Sequence, residues 1–202
     1  MVKTDILKIK GDWEEVVDNC RSTVSKPPLG KEPSKKFKRA ILISEHSPIR
    51  CISVCWKWLG IPSWVATHFS RHKFEKFIST QRTDRTGVDR NGLPQDAPVI
   101  FRGEANVQSI IDVSRKRLCY TAAKETREQW EDFKRELHKI EPEIADVCIP
   151  NCIYRGGCCE RDIGANCHFY ENFLKRHPEI TVNTSIQERY DIYNQEFYKD
   201  EQ

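Results

Sequence analysis

The sequence predicts an α/β (α+β) protein in which a small mixed sheet is flanked by helices. Three observations carry this expectation. Cys51 to Leu59 alternates, with Ile52, Val54, Trp56 and Trp58 on one face and Cys51, Ser53, Cys55 and Lys57 on the other, the period of a strand with one buried face. Pro62 follows where a helix opens, and the run to about His72 reads as that helix. Glu104 to about Leu137 reads as helix, or as two helices broken near Tyr120-Thr121, with Trp130, Phe133 and Leu137 in one apolar stripe.

The remaining elements come in chain order. Trp13 to Val17 is an amphipathic piece, and Ser25-Lys-Pro-Pro-Leu-Gly30 is a loop. Lys36 to Ile43 is basic and then apolar, and reads as helix or short strand. Gly60-Ile61-Pro62 ends the first strand, and Phe77 to Thr83 is expected as the second. Asp84 to Gly103 holds three glycines and two prolines without a period, so it is expected as a long loop of the kind that often carries function. Pro142 stops the preceding helix or starts a new turn. A cysteine-rich module spans 146–170, and the polar, aromatic tail from Glu171 is expected as a docked helix. This divides the chain into an α/β unit, 1–145, and a cysteine-rich unit with its tail, 146–202.

The 202 residues, 38% hydrophobic and 31% charged, suit a soluble globular protein of one domain with or without a small appendage. No apolar run approaches the ~20 residues that span a bilayer. The N-terminal stretch has acidic residues and no apolar segment of a signal peptide, so a cytoplasmic location is expected, with no membrane partner. A net charge of +3 is compatible with a phosphorylated small molecule and does not demand a polyanion, so nucleic acid is not the expected partner.

His68, Arg71, His72 and Lys73 crowd basic groups at the end of one helix, with His68 and His72 sharing a face. Such a cluster is costly unless an anion offsets it, and arginine suits phosphate through its planar fork. Basic groups at a helix end also complement the dipole, which is the plain structural alternative. Arg115 reads as a solvated helix-face charge and His46 as a turn cap.

Three segments together resemble the flavin-dependent thymidylate synthases. Glu45-His46-Ser47-Pro48 is similar to the family's HSP element before its first core strand. Arg71-His72-Lys73 matches its Arg-His-Arg signature with one conservative change, and Thr80-Gln81-Arg82 fits its Ser-x-Arg strand element if one residue is deleted. From Asn106 an ungapped run through Ser109, Arg117, Glu125 and Arg127 resembles its Asn-x-Arg-x-Leu helix, its later arginine and its Gln-x-Glu-Ile-Arg ending. The resemblance covers roughly 40–83 and 104–137. It departs where Gln108 replaces arginine, where Ala123 replaces glutamine, and in the shortness of the middle section.

The resemblance implies reductive methylation of dUMP to dTMP with FAD, methylenetetrahydrofolate and NADPH, in a homotetramer whose active sites draw on several subunits. It implies nucleotide contacts from His68, Arg71, Thr80, Arg82 and Arg117, with Arg117 activating the ring, and cofactor contacts from Arg71, His72, Lys73, Asn106, Gln108 and Asp112. A related C5 modification such as hydroxymethylation remains open. So does a flavin-free nucleotide- or nucleic-acid-binding protein on the same scaffold.

Five of nine cysteines lie between 148 and 167. In a chain without an export signal such clustering reads first as metal binding. Cys148, Cys152, Cys159 and Cys167 are the expected ligands of a structural zinc. An iron–sulfur cluster would use the same thiolates, and buried free thiols are the plain alternative.

Overall fold

The computed structural model describes residues 2–164 and 166–199; residues 1, 165 and 200–202 lie outside them. The sheet holds β1 (Thr4–Lys10), β2 (Ser53–Pro62), β3 (Glu75–Ile78) and β4 (Pro98–Asn106), in the order β1-β2-β4-β3. All three pairings are antiparallel, so the fold is α+β and the sheet is not mixed. The helices are α1 (Trp13–Ser22), α2 (Lys35–Ile43), α3 (Ser63–Ser70), the single turn α4 (Thr83–Thr86), α5 (Val107–Arg117), α6 (Lys124–His138), α7 (Pro142–Asp146), α8 (Asn151–Arg155), α9 (Phe169–Arg176) and α10 (Ile186–Phe197).

β2 turns the predicted face inward: Ile52, Val54, Trp56 and Trp58 are all buried. Gly60 does not end the strand. It sits at φ +83 in a bulge between Leu59 and Ile61, and pairing with β4 continues to Pro62, which caps α3. The helix stops at Ser70, short of His72.

β4 lies where a loop was expected. Val99, Phe101 and Ala105 point into the core and alternate with Ile100, Arg102 and Glu104. The alternation is broken to the eye at Gly103, and packing requires that glycine. A Cβ there would stand 2.2 Å from Cζ2 of Trp56. Glu104 to Asn106 are therefore strand, and α5 begins at Val107, where the Asn106 side chain accepts from Ser109 N at 2.9 Å. β3 ends at Ile78, so Thr80 and Arg82 lie in loop and Thr83 in α4.

β1 is an edge strand that the pattern did not reveal. Ile6 and Ile9 pack against the core, Trp58 Nε1 donates to Thr4 Oγ1 at 2.7 Å, and Thr4 N donates to Asp132 of α6. The predicted stripe of α6, Trp130, Phe133 and Leu137, closes over the sheet with no exposure. Ring centroids of Trp56 and Phe133 are 4.9 Å apart, and those of Trp130 and Phe133 4.3 Å. Burial of several such rings is the main source of stability here, at ~25 cal/mol per Å² of apolar area.

Pro142 opens α7 at its first turn. The following segment joins the same core: Cys148, Ile153, Phe173 and Tyr190 are buried in one cluster with the sheet aromatics. The tail docks as α10, whose start is a capping box of Ser185 and Glu188. Lys134 of α6 is fully buried beneath it. Its Nζ donates to Asn194 Oδ1 at 2.6 Å and lies over the rings of Phe197 and Tyr193 at 4.3 and 4.6 Å. Burial pulls its pKa down to about 7.

Candidate functional site

The C-terminal ends of α3 and α5 meet beside β3 and β4. Arg117 closes this junction: its Nε donates to His72 Nε2 at 2.7 Å and its Nη2 to the His68 carbonyl at 2.7 Å. The second bond satisfies a carbonyl at the negative end of α3. Among the described residues no carboxylate pairs with Arg117, and its Nη1 has no partner. Because His72 Nε2 accepts, the ring is neutral there. Burial, with Arg117, Lys76 and Lys116 nearby, drives its pKa down to about 4. His68 is also lowered, by burial and then by Arg117 and Arg71, and its Nδ1 lies 2.9 Å from Thr126 Oγ1. Arg117 itself is half-buried, and burial and Arg71 lower its pKa, though a guanidinium stays charged at neutral pH.

Two cavities flank His72. One, of about 630 Å³, is lined by Arg50, Lys73, Lys76, Asn106 and Ser109, together with Glu75 and Glu104. The other, of about 270 Å³, is lined by Arg115, Lys116, Arg117, Cys119 and the cysteine-rich segment through Asn151, Cys159 and Glu160. A separate cavity of about 540 Å³ lies among α2, α7 and α10, lined by Lys36, Arg39, Val147 and Tyr190, and touches none of these groups.

The structure thus brings together His68, His72, Lys73, Asn106 and Arg117, with Arg71 exposed at the α3 cap. It does not bring the others to the same place. Thr80 and Arg82 lie in the loop after β3, where Arg82 is engaged by Asp84 at 2.7 Å. Asp112 is exposed, and Gln108 donates to Glu45 at 2.7 Å.

Arg115 is not the solvated charge that the sequence suggested. Its side chain is 15% exposed, it pairs with Glu45, and its guanidinium stacks on Tyr154 at 3.7 Å. Glu45, Lys76, Lys116 and Asn151 went unsuspected. Only Glu45, beside the His46-Ser47-Pro48 element, carried any signal in the sequence.

The zinc set expected from the cysteine spacing is not assembled. Among the described residues no three His, Cys, Asp or Glu side chains are grouped to hold a metal. Cys148 is a core residue whose thiol donates to Ile144 O, and burial pushes its pKa up to about 11 and that of Cys152 to about 12. Cys159 instead faces the smaller cavity. Among the described residues no helix is long and apolar enough to cross a membrane.

No protein-family model and no curated protein matches this sequence. Solved structures do. The flavin-dependent thymidylate synthase ThyX from Helicobacter pylori, complexed with FAD and dUMP, superposes with a TM-score of 0.60 at 12% identity, over 73% of this chain and 99% of that one. A second ThyX structure from the same organism with FAD and dUMP gives 0.61 at 12% identity, over 74% and 99%. The UMP/dUMP methylase PolB from Streptomyces cacaoi, bound with 5-Br dUMP, gives 0.57 at 13% identity, over 73% and 94%. The fold is that of the flavin-dependent thymidylate synthases.

Proposed function

We propose that this chain is a flavin-dependent enzyme that modifies C5 of a pyrimidine nucleotide, and specifically that it methylates dUMP to dTMP with methylenetetrahydrofolate and NADPH. The observation that carries the reading is Arg117, a half-buried cation without a counter-ion among the described residues, held against a neutral imidazole. Supporting it, neighbours of the same fold at low identity are described with dUMP, or its 5-bromo form, and FAD.

The chemistry of the lining suits both ligands. Lys73, Asn106 and Ser109 offer donors to a phosphate-bearing cofactor in the larger cavity, and Arg50 and Lys76 add charge. A bound flavin supplies the electrons for the reduction. The protein's own part is electrostatic: Arg117 stabilises negative charge on a ring carbonyl oxygen and so raises electron density at C5. His72, neutral at pH 7, orients the guanidinium without competing for the anion. His68 and Arg71 extend the positive wall.

Thr80 and Arg82 fit this reading as phosphate contacts of a site completed by a second copy of the chain, within a homotetramer. Arg82→Ala should then weaken dUMP several-fold and leave deoxyuridine unchanged. Equal losses for both would remove Arg82 from the phosphate.

The test is direct. The protein is incubated with dUMP, methylenetetrahydrofolate, FAD and NADPH, and the product is identified by mass. dTMP supports the proposal, and a hydroxymethylated product would redirect it. Unchanged dUMP with flavin demonstrably bound would overturn it.

A further inference from the structure

The ring of His68 has one hydrogen-bond partner among the described residues, Thr126 Oγ1, 2.9 Å from its Nδ1. Thr126 lies on α6 and is fully buried, so its hydroxyl hydrogen must find an acceptor within the protein. Other helical hydroxyls use the carbonyl one turn back: Thr67 donates to Ser63 O at 3.0 Å and Ser114 to Ile110 O at 2.7 Å. Thr126 falls in the first turn of α6 and has no helical turn behind it. Among the described residues His68 Nδ1 is the acceptor that remains.

Donation from Thr126 settles the state of the ring. With Oγ1–H directed at Nδ1, that nitrogen is unprotonated and the ring's one proton is on Nε2. The other tautomer, or the imidazolium, would turn an Nδ1–H toward Oγ1 and leave the buried hydroxyl hydrogen unpaired. Charge on the ring is opposed from other sides too, by burial and then by Arg117 and Arg71. Trp64 packs edge-on against the ring, with centroids 5.4 Å apart, and the His68 carbonyl accepts from Arg117 Nη2. Nε2 meets no acceptor among the described residues, and it is the end of the ring left for a ligand. Thr126 stands where the Gln-x-Glu-Ile-Arg ending has isoleucine, a residue with no hydroxyl to direct.

We propose that Thr126 is a positioning residue of the nucleotide site: through His68 it presents an uncharged Nε2–H donor, beside the charged Arg117, to an acceptor oxygen of the nucleotide. This rests on the nucleotide reading above. What His68 adds to the wall it shares with Arg71 is then an N–H dipole of fixed direction and not a further full charge. Arg117 acts through its field, and His68 through the geometry of one hydrogen bond.

The test uses the full-length protein labelled with 15N-histidine. NMR couplings between the ring nitrogens and ring protons at pH 7 show which nitrogen carries the hydrogen, and His68→Gln assigns the signal. Affinity for dUMP is measured calorimetrically on the parent, Thr126→Val and Thr126→Ser. The parent should show His68 as a single Nε2–H tautomer. Thr126→Val should populate both tautomers and weaken dUMP about five-fold, and Thr126→Ser, which keeps the hydroxyl, should restore both readouts. A parent His68 that is charged or protonated at Nδ1 overturns the lock, and this holds even if Thr126→Val does not fold. So does a Thr126→Val protein with the parent's tautomer. An altered tautomer with unchanged dUMP affinity overturns the positioning role and leaves the nucleotide reading standing. If the parent does not bind dUMP at all, the nucleotide reading is overturned and the positioning role with it.

Discussion

Arg115 and Arg117 lie two residues apart on α5 and are indistinguishable by type, yet the fold treats them oppositely. Arg115 is neutralised by Glu45 and stacked on Tyr154, whereas Arg117 meets a neutral ring and a carbonyl and, among the described residues, no carboxylate. A half-buried cation without a counter-ion is a cost to the fold, so the structure withholds from Arg117 the anion that it grants to Arg115. In the function proposed above, the missing partner is what distinguishes the working charge from the structural one.

The largest expected effect breaks this contrast most directly. Arg117→Ala should lower dUMP turnover ~10²–10³-fold while the protein stays folded. If Arg115→Ala lowers turnover as much at comparable stability, the two arginines are not functionally distinct.

Lys134 sharpens the point, because its one hydrogen bond goes to an amide oxygen, yet it is sealed from any ligand. Its pKa of about 7 lies below the ordinary lysine value, so between pH 7 and about 10 the unfolded chain binds more protons and this residue's contribution to stability rises with pH. Lys134→Met should remove that rise, on the order of 2–4 kcal/mol across the window, as read from urea unfolding at several pH values. An unchanged pH profile would mean that Lys134 titrates in the folded protein as it does in the unfolded chain, and so stays a cation there.

Glu45→Gln tests the structural arginine. It leaves the largely buried Arg115 with only the longer contact to Asp112 at 3.7 Å and should cost about 2–3 kcal/mol, less than for a fully buried pair, with turnover falling far less than in Arg117→Ala. The smallest effect concerns His72. Its folded pKa of about 4 lies below the unfolded value, so its contribution is present above pH 6.5 and is lost as pH falls toward 4. Because the ring is only half-buried, the loss should be on the order of 1 kcal/mol, and His72→Gln should flatten the acid limb of the stability curve.

How much could be read from the sequence depended on the physics of each signal. β2 and the stripe of α6 were legible because uninterrupted periods of large apolar residues leave few alternatives. β4 was not, because the residue that fits under Trp56 is a glycine, which reads as a breaker in a linear scan. β1 was hidden for another reason: a register shift between Ile6 and Lys8 breaks its alternation, so that Ile6 and Ile9 both pack against the core from positions of opposite parity. In the site, Arg117 and the Arg71-His72-Lys73 group carried a pattern. The pairing of Arg115 with Glu45 is a long-range contact with no local trace, and although Gly156-Gly157 marks the turn after α8, it does not say that Asn151 meets Cys159 across it.

The packing of the tryptophans also gives the protein an optical division of labour. Trp56, Trp58 and Trp130 lie with ring centroids 5.8 to 6.3 Å apart, close enough to share excitation, and should dominate a near-ultraviolet dichroism band that vanishes when the core melts. Trp64 stands apart from them, its ring 5.4 Å from His68. Its emission is therefore the intrinsic signal positioned to follow ligand entry at the Arg117 junction, and replacing it with phenylalanine would silence that response while leaving the band of the core untouched.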